Sequence, residues 1–178
     1  MLSKPKTLAN IQLTQELVKS LFDYKDGKLY WKIALNRSII VGSEAGHINK
    51  GKKPRYYVKF YGVNYASARI IYLLHHGWLP VIVDHEDRNQ LNDNIDNLRP
   101  ANRKQNNSNR KAWDNASSKY LGVHFRKQSK VRKWAAQISV NRKHTFLGIF
   151  LTEEEAARCY NEAAQKYHGE FANLNIIE

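Results

Sequence analysis

The chain has 178 residues, of which 42% are apolar and 25% charged, so it is a folded protein with room for one medium domain or two small ones. Lysine and arginine number 29 against 16 acidic residues, and the formal charge of +13 favours a polyanionic partner, with nucleic acid as the first candidate. The single cysteine excludes a disulfide framework, and no apolar run approaches the roughly 18 residues of a membrane span, so we expect a soluble protein of a reducing compartment.

Local signals predict the first elements of the chain. Thr14 is a typical N-cap for a short helix ending near Phe22, and Asp26-Gly27 between two aromatic runs predicts a hairpin. The later signals predict a strand, a turn and a helix, in that order, at 56–61, 62–64 and 68–76. Gly77 is the expected stop of the last helix.

A cluster of polar residues follows a short apolar strand at 81–83. That strand places Asp84 and His85 at its end, and a polar loop follows at 86–92. A short helical segment through Ile95 and Leu98 comes next and contains Asn97. The two ends of this strand, loop and helix unit are expected to place their polar groups opposite one another.

A second helix is predicted after Pro100, which breaks the preceding segment, with Asn102 as its cap and Asn106 one turn inside it. Phosphodiester hydrolysis needs a base that works near neutral pH and a divalent cation held by hard oxygen ligands. His85 suits the base, and Asp84 and Asn106 suit the cation. The segment therefore fits a metal-dependent nuclease.

This segment resembles the HNH endonucleases, also called ββα-metal nucleases, and in particular their phage and intron-encoded homing members. The likeness rests on the spacing from His85 to Asn97 to Asn106, twelve and then nine residues. The flanking sequences at 69–77 and 97–101 also resemble those of this family. The resemblance implies that His85 is the general base, that Asn97 orients it and braces the loop, and that Asp84 and Asn106 ligate the metal. Many members carry histidine at the Asn106 position, and the all-oxygen pair here favours one Mg²⁺ or Mn²⁺ ion over Zn²⁺.

A second module is predicted at 120–178, after a first module at 1–110 and a polar linker at 111–119. Residues 111–150 carry nine basic and one acidic side chain, whereas residues 151–178 carry two basic and six acidic ones. The basic stretch is therefore the expected nucleic-acid surface.

Three alternating runs and one amphipathic helix make up the second module. The runs predict strands, at 121–126, 133–141 and 144–150. Thr152 and Glu155 form a capping box, and Gly169 ends the helix that follows. The expected inner stripe of this helix is Ala156, Tyr160, Ala163, Ala164 and Tyr167.

The second module resembles the plant Apetala-two/ethylene-response-factor DNA-binding domain over nearly all of 118–176. The sequence segments that carry this resemblance are 120–123, 133–138, 146–150, 154–161 and 172–175. In that family the exposed sheet face contacts DNA, which carries over to His124, Arg126, Lys133, Gln137, Ser139, His144 and Phe146. Three arginines of the plant domains are replaced here, at His124, Ser139 and His144, so the plant base preference does not carry over.

The sequence thus predicts an α+β protein. It combines a small β-rich N-terminal part and an HNH unit with a three-stranded antiparallel sheet packed on one C-terminal helix. The HNH resemblance implies a site-specific, divalent-metal-dependent homing endonuclease that acts on double-stranded DNA in the cytoplasm of a bacterial host cell during phage infection. We expect no membrane or small-molecule partner.

The N-terminal part is expected both to prop the nuclease unit and to clamp the DNA backbone through Lys52, Lys53 and Arg55. Two alternatives stay open. One is a non-cleaving transcriptional regulator on the same reader module, and the other is a structure-specific nuclease that reads junctions.

Overall fold

The computed structural model describes residues 12–51, 54–109, 116–128, 131 and 133–177. Contacts among them divide the chain into two compact units, one up to Ala101 and one from Asn102. Lys52 and Lys53, two of the predicted DNA contacts, lie outside the described residues, as do residues 111–115 of the predicted linker.

The described residues of the first unit form two helices and seven short strands. In chain order they are α1 (Gln15–Leu21), β1 (Phe22–Lys25), β2 (Lys28–Trp31), β3 (His47–Ile48), β4 (Tyr56–Phe60), β5 (Val63–Ala66), α2 (Ser67–His76), β6 (Ile82–His85), a 3₁₀ turn (Ile95–Asn97) and β7 (Leu98–Ala101). All pairings are antiparallel, in the sheets β1-β2, β3-β4-β5 and β6-β7.

The predicted caps and turns of this unit are confirmed. Thr14 caps α1 by accepting a hydrogen bond from the Leu17 N–H. Asp26 and Gly27 both have positive φ, which a two-residue hairpin turn requires, and the turn joins β1 to β2. Gly77 ends α2 in the left-handed conformation.

The core of the first unit lies where α1 and α2 meet the strands. Its largest fully buried side chains are Val18, Leu21, Phe22, Leu29, Val58, Ile70 and Ile71. Each such side chain contributes about 1.5–3 kcal/mol when removed from water. This core fixes α2, and α2 contacts β6 and the 3₁₀ turn that flank the candidate site.

Two predictions for this unit were wrong in detail. The turn expected at 62–64 lies one residue earlier, at Tyr61 and Gly62, because both adopt positive φ and Val63 already pairs with Phe60. The helical segment expected to reach Leu98 ends at Asn97. Leu98–Ala101 instead forms β7, which accommodates Pro100 because an edge strand does not use every N–H.

The second unit contains α3 (Arg103–Ser108), β8 (Val123–Phe125), β9 (Trp134–Val140), β10 (Lys143–Phe150), α4 (Glu153–His168) and a 3₁₀ turn (Gly169–Phe171). The strands form one antiparallel sheet in the order β10-β9-β8, and α4 packs on one face of it. The predicted sheet and covering helix are confirmed.

The helix prediction for α4 is confirmed except at its last inner position. The Thr152–Glu155 capping box is present in both directions, and Ala156, Tyr160 and Ala164 are buried. Tyr167, expected to face the core, is 43% exposed, and the nearby core is completed by Phe171 of the following 3₁₀ turn. Within the described residues, no helix combines the length and the apolar character that crossing a membrane demands.

Candidate functional site

The end of β6 places Asp84 and His85 side by side in the first unit. In the register of the β6-β7 pair, Asp84 faces Arg99 and His85 faces Leu98. Asp84 is 6% exposed and His85 9% exposed, so both side chains are almost withdrawn from water. Buried titratable groups require partners, and the two have different ones.

His85 pairs with an acid that the sequence analysis did not single out. Its Nε2 lies 2.7 Å from Oδ1 of Asp93, and the two side chains are 10% and 2% exposed. A carboxylate at this distance accepts a hydrogen bond from Nε2–H, which holds the ring proton on Nε2. The pair fixes both the tautomer and the ring orientation.

Asp84 pairs with a cation across the two strands. Nε of Arg99 lies 3.0 Å from Oδ2 of Asp84, and Nη1 of Arg99 lies 3.9 Å from the exposed carboxylate of Glu86. The guanidinium thereby neutralises a buried carboxylate that would otherwise carry a large desolvation cost.

Asn97 holds the loop between the two strands closed. Its Oδ1 accepts the Asp87 N–H at 2.9 Å, and its Nδ2 donates to Asp87 Oδ1 at 2.9 Å and to the Asn92 carbonyl at 2.8 Å. Asn92 in turn donates to the other oxygen of Asp87 at 2.8 Å. These hydrogen bonds are a brace for the loop, whereas the carboxylate that contacts His85 belongs to Asp93.

The same hydrogen bonds set the charge state of Asp87. Burial by itself raises the pKa of this carboxyl, but the hydrogen bonds from Asn92, the Asn89 N–H and Asn97 outweigh it and hold the pKa below its ordinary value. Asp87 is therefore a fixed negative charge within the loop.

The N-terminal hairpin supports the far end of this loop. The Ile95 N–H donates to the Tyr24 hydroxyl at 3.1 Å. A Cβ added at Gly27 would lie 3.0 Å from the Asn94 backbone nitrogen, so only glycine permits this close approach. The hairpin thus props the candidate site, as the sequence analysis expected of the N-terminal part.

A small cavity of about 200 Å³ opens beside His85 and Asp93. Arg55 and Arg69 contribute to its wall, which gives it a positive lining. Nε of Arg55 donates to Gln90 Oε1 at 2.7 Å, and Nη1 of Arg69 donates to the Pro80 carbonyl at 3.2 Å, so both side chains are held in place. The cavity suits an anionic group next to the base.

The two histidines at the end of α2 have structural contacts. His75 Nδ1 lies 2.8 Å from the Ile71 carbonyl, and its ring packs edge-on against Tyr24. The His76 ring packs on Tyr72 at 4.2 Å between centroids.

In the second unit, the predicted DNA-contacting residues share the sheet face opposite α4. Across β9 and β10, Gln137 faces Phe146 and Ser139 faces His144, and all four side chains are exposed. Exposed Lys133 follows the same alternation on β9. On β8, half-buried His124 pairs with Ala135, and the Arg126 N–H donates to the Lys133 carbonyl at 2.7 Å. We call this surface, made of His124, Arg126, Lys133, Gln137, Ser139, His144 and Phe146, the reading face.

Asn106 lies on α3, half-buried and within the second unit. Asn102 caps that helix in a full capping box with Gln105, as its sequence predicts. The structure therefore brings Asp84, His85 and Asn97 together in one unit and carries Asn106 on the other. Over the part of the chain that is described, no three His, Cys, Asp or Glu side chains are grouped to hold a metal.

Comparison with known proteins decides which family this site resembles. Residues 65–108, which run from β5 through α3, match the family model described as HNH endonuclease. This part of the chain is similar to HNH endonuclease domains. A similar protein is an uncharacterized HNH endonuclease of Acanthamoeba polyphaga mimivirus, 39% identical over 113 residues, which cover 62% of this chain and 57% of that protein.

Plant proteins match the other part of the chain. Dehydration-responsive element-binding protein 2E of Oryza sativa subsp. japonica is 44% identical over 64 residues, or 35% of this chain and 19% of that protein. Dehydration-responsive element-binding protein 2D of Arabidopsis thaliana is 42% identical over 67 residues, or 36% of this chain and 31% of that protein. Both resemblances read from the sequence, to HNH endonucleases and to plant DNA-binding domains, are thus confirmed.

The chain spans just over half of the viral relative and less than a third of each plant relative. No solved structure matches it significantly.

Proposed function

We propose that the chain is a site-specific, divalent-metal-dependent endonuclease that hydrolyses phosphodiester bonds in double-stranded DNA. The observation that carries the proposal is the buried His85–Asp93 pair, which lies next to Asp84 inside an HNH domain. A histidine whose proton position is fixed by a buried carboxylate is equipped to act as a general base.

In this proposal His85 takes the proton from the attacking water at Nδ1. Asp93 accepts a hydrogen bond from Nε2–H and stabilises the imidazolium that forms during the transfer. Asn97 acts on His85 indirectly, because its hydrogen bonds to Asp87 and Asn92 close the loop that carries Asp93. The roles of base, base partner and loop brace therefore fall to three different side chains.

A divalent cation is part of the proposal, with Asp84 and Asn106 as its protein ligands. A buried carboxylate and an amide oxygen are hard donors, which fits Mg²⁺ or Mn²⁺ better than Zn²⁺. When bound, the cation supplies positive charge to the phosphate and the leaving 3′-oxygen. Without it, Arg99 neutralises Asp84.

Two surfaces support DNA as the substrate. In the first unit, Arg55 and Arg69 line the cavity beside His85 and suit a backbone phosphate. In the second unit, the reading face offers exposed polar and aromatic side chains on a sheet, a shape that a major groove accepts. The plant relatives are named as element-binding proteins, which supports this role for the second unit.

The proposed setting is the cytoplasm of a host cell. The similarity to a protein of a virus, which multiplies inside a host cell, supports it.

The proposal is tested by incubating the full chain with DNA in Mg²⁺ and mapping the ends produced. We expect nicks or breaks at discrete positions, abolished by EDTA. Tight duplex binding without cleavage in any divalent metal would favour a non-cleaving regulator. Preferential cleavage of a branched duplex, in competition with a linear one, would favour a structure-specific nuclease.

A further inference from the structure

The second unit contains a cleft that neither resemblance accounts for. Helix α3, the β9–β10 hairpin and the last turns of α4 enclose a volume of about 650 Å³. The lining residues that matter here are Arg103, Lys104, Gln137, Ser139, Arg142 and His144. Ser108 of α3 anchors this arrangement, since its Oγ lies 3.2 Å from Nδ1 of His168 on α4.

The cleft concentrates positive charge without neutralising it. Arg103, Lys104 and Arg142 all line it, and no acidic residue does so among the described residues. Within the described part of the chain, none of these three side chains takes part in an ion pair. Like charges gathered in one concave surface repel each other, so the arrangement is stabilised when an anion enters.

The backbone of the hairpin turn points to the same conclusion. Asn141 and Arg142 occupy the two central positions of the turn, with φ of 53° and 64°. A turn of this kind favours Asn-Gly, because glycine takes positive φ without strain. The chain instead keeps an arginine at the strained position, and that arginine faces the cleft. Strain retained at one residue is a reason to look for a function there.

The cleft is continuous with the reading face. Gln137, Ser139 and His144 belong to both surfaces. A DNA strand lying across the reading face therefore has a path into the cleft, where amide and hydroxyl groups accompany the cations. Arginine, lysine, amide and hydroxyl groups are among those that contact phosphate and sugar in protein–DNA complexes.

We propose that the cleft formed by α3 and the β9–β10 hairpin binds phosphates of the DNA backbone through Arg103, Lys104 and Arg142. The inference rests on the proposed function, because it takes duplex DNA as the substrate. It extends the DNA-binding surface from the sheet to a helix that lies within the HNH family match.

The test measures the affinity of the full chain for a duplex of random sequence, in EDTA so that nothing is cut, over a series of salt concentrations. Each phosphate contact contributes about 0.9 to the slope of log affinity against log salt. We expect Arg103→Gln, Lys104→Gln and Arg142→Gly each to reduce the slope by about 0.9. Arg158→Gln removes the same charge from an exposed position on α4 outside the cleft and should leave the slope unchanged.

Arg142→Gly separates a binding role from a structural one. Glycine relieves the positive φ, so this variant should melt at the wild-type temperature or above while it binds DNA more weakly. Slopes that match Arg158→Gln in all three cleft variants would overturn the proposal.

Cleavage in Mg²⁺ is scored separately on the same proteins. If the wild type cuts DNA and the cleft variants keep the wild-type salt slope, phosphate binding in the cleft is refuted and the proposed endonuclease activity stands. If the wild type never cuts DNA and the cleft variants have a reduced salt slope, the proposed endonuclease activity is refuted and phosphate binding in the cleft is supported.

Discussion

Asp84 and Arg99 face each other across β6 and β7, and Nε of Arg99 lies 3.0 Å from Oδ2 of Asp84. With side chains 7% and 14% exposed, they form a buried ion pair at the position proposed for the metal. A cation that binds Asp84 would therefore replace the guanidinium in neutralising the charge of this carboxylate.

The first prediction concerns this exchange. Arg99→Ala leaves the Asp84 charge buried without its main partner, which should cost about 3–5 kcal/mol of stability in EDTA. Mg²⁺ should restore part of that loss, so thermal unfolding should show a larger Mg²⁺ shift for the variant than for the wild type. The double variant Arg99→Ala, Asp84→Asn carries no such charge and should lose the excess shift. Equal Mg²⁺ shifts in the single variant and the wild type would contradict the proposed metal site.

The second prediction concerns the partner of the base. Asp93→Asn keeps the shape of the side chain, but its amide can donate to Nε2 and move the His85 proton to Nδ1. Single-turnover cleavage should fall by a factor on the order of 10²–10⁴, while duplex affinity stays unchanged. Asp96→Asn, at an exposed position of the same segment, is the matched control. An Asp93→Asn variant that cuts at the wild-type rate would show that Asp93 does not orient the base.

The third prediction concerns the loop brace. Asn97→Ala removes three hydrogen bonds to Asp87 and Asn92, at about 1 kcal/mol each, so the free energy of unfolding should drop by about 3 kcal/mol. The pKa of Asp87 should also rise, because Asn97 is one of the groups that lower it. Urea unfolding and an NMR titration of Asp87 measure the two effects. Asn64→Ala, on the exposed side of β5, should change neither; an unaltered Asp87 titration in Asn97→Ala would refute the brace.

The fourth prediction concerns pH and the anchor of α3. Burial lowers the pKa of His168, and the nearby charge of Lys104 lowers it further. As the pH drops through 6.5, His168 of the unfolded chain takes up a proton, whereas His168 of the folded unit does so only at lower pH. The free energy of unfolding therefore falls as the pH drops through 6.5, and it levels off below the pKa of the folded state. His168→Gln should remove this component from urea unfolding curves, and His144→Gln, exposed on β10, should keep it. Identical pH profiles for wild type and His168→Gln would exclude the effect.

Local signals in the sequence were sufficient for much of the fold. The cap at Thr14, the Asp26-Gly27 turn and the Thr152–Glu155 capping box each depend on a few neighbouring residues, and each is present. The alternation along 133–141 likewise separated the two sides of β9, except that Ala135 on the predicted polar side is buried. In all these cases the determinant lies within one turn or one strand.

Features that depend on distant contacts were missed. Strand β7 escaped prediction because Pro100 usually disfavours a strand, and only its pairing with β6 makes the assignment visible. Asp93 escaped because nothing in its spacing marks it, and the closed loop alone brings it to His85. The sequence predicted helix α3 and its Asn102 cap, but not the contact of Ser108 with a histidine sixty residues away.

The most direct test of the proposed active site compares the cleavage rates of the wild type and His85→Ala in Mg²⁺, on DNA that the wild type cuts. Loss of the general base should lower the cleavage rate by about 10²–10⁴, while the salt-dependent affinity for the duplex stays at the wild-type value. Cleavage by His85→Ala at the wild-type rate would contradict the assignment of this histidine and of the active site around it.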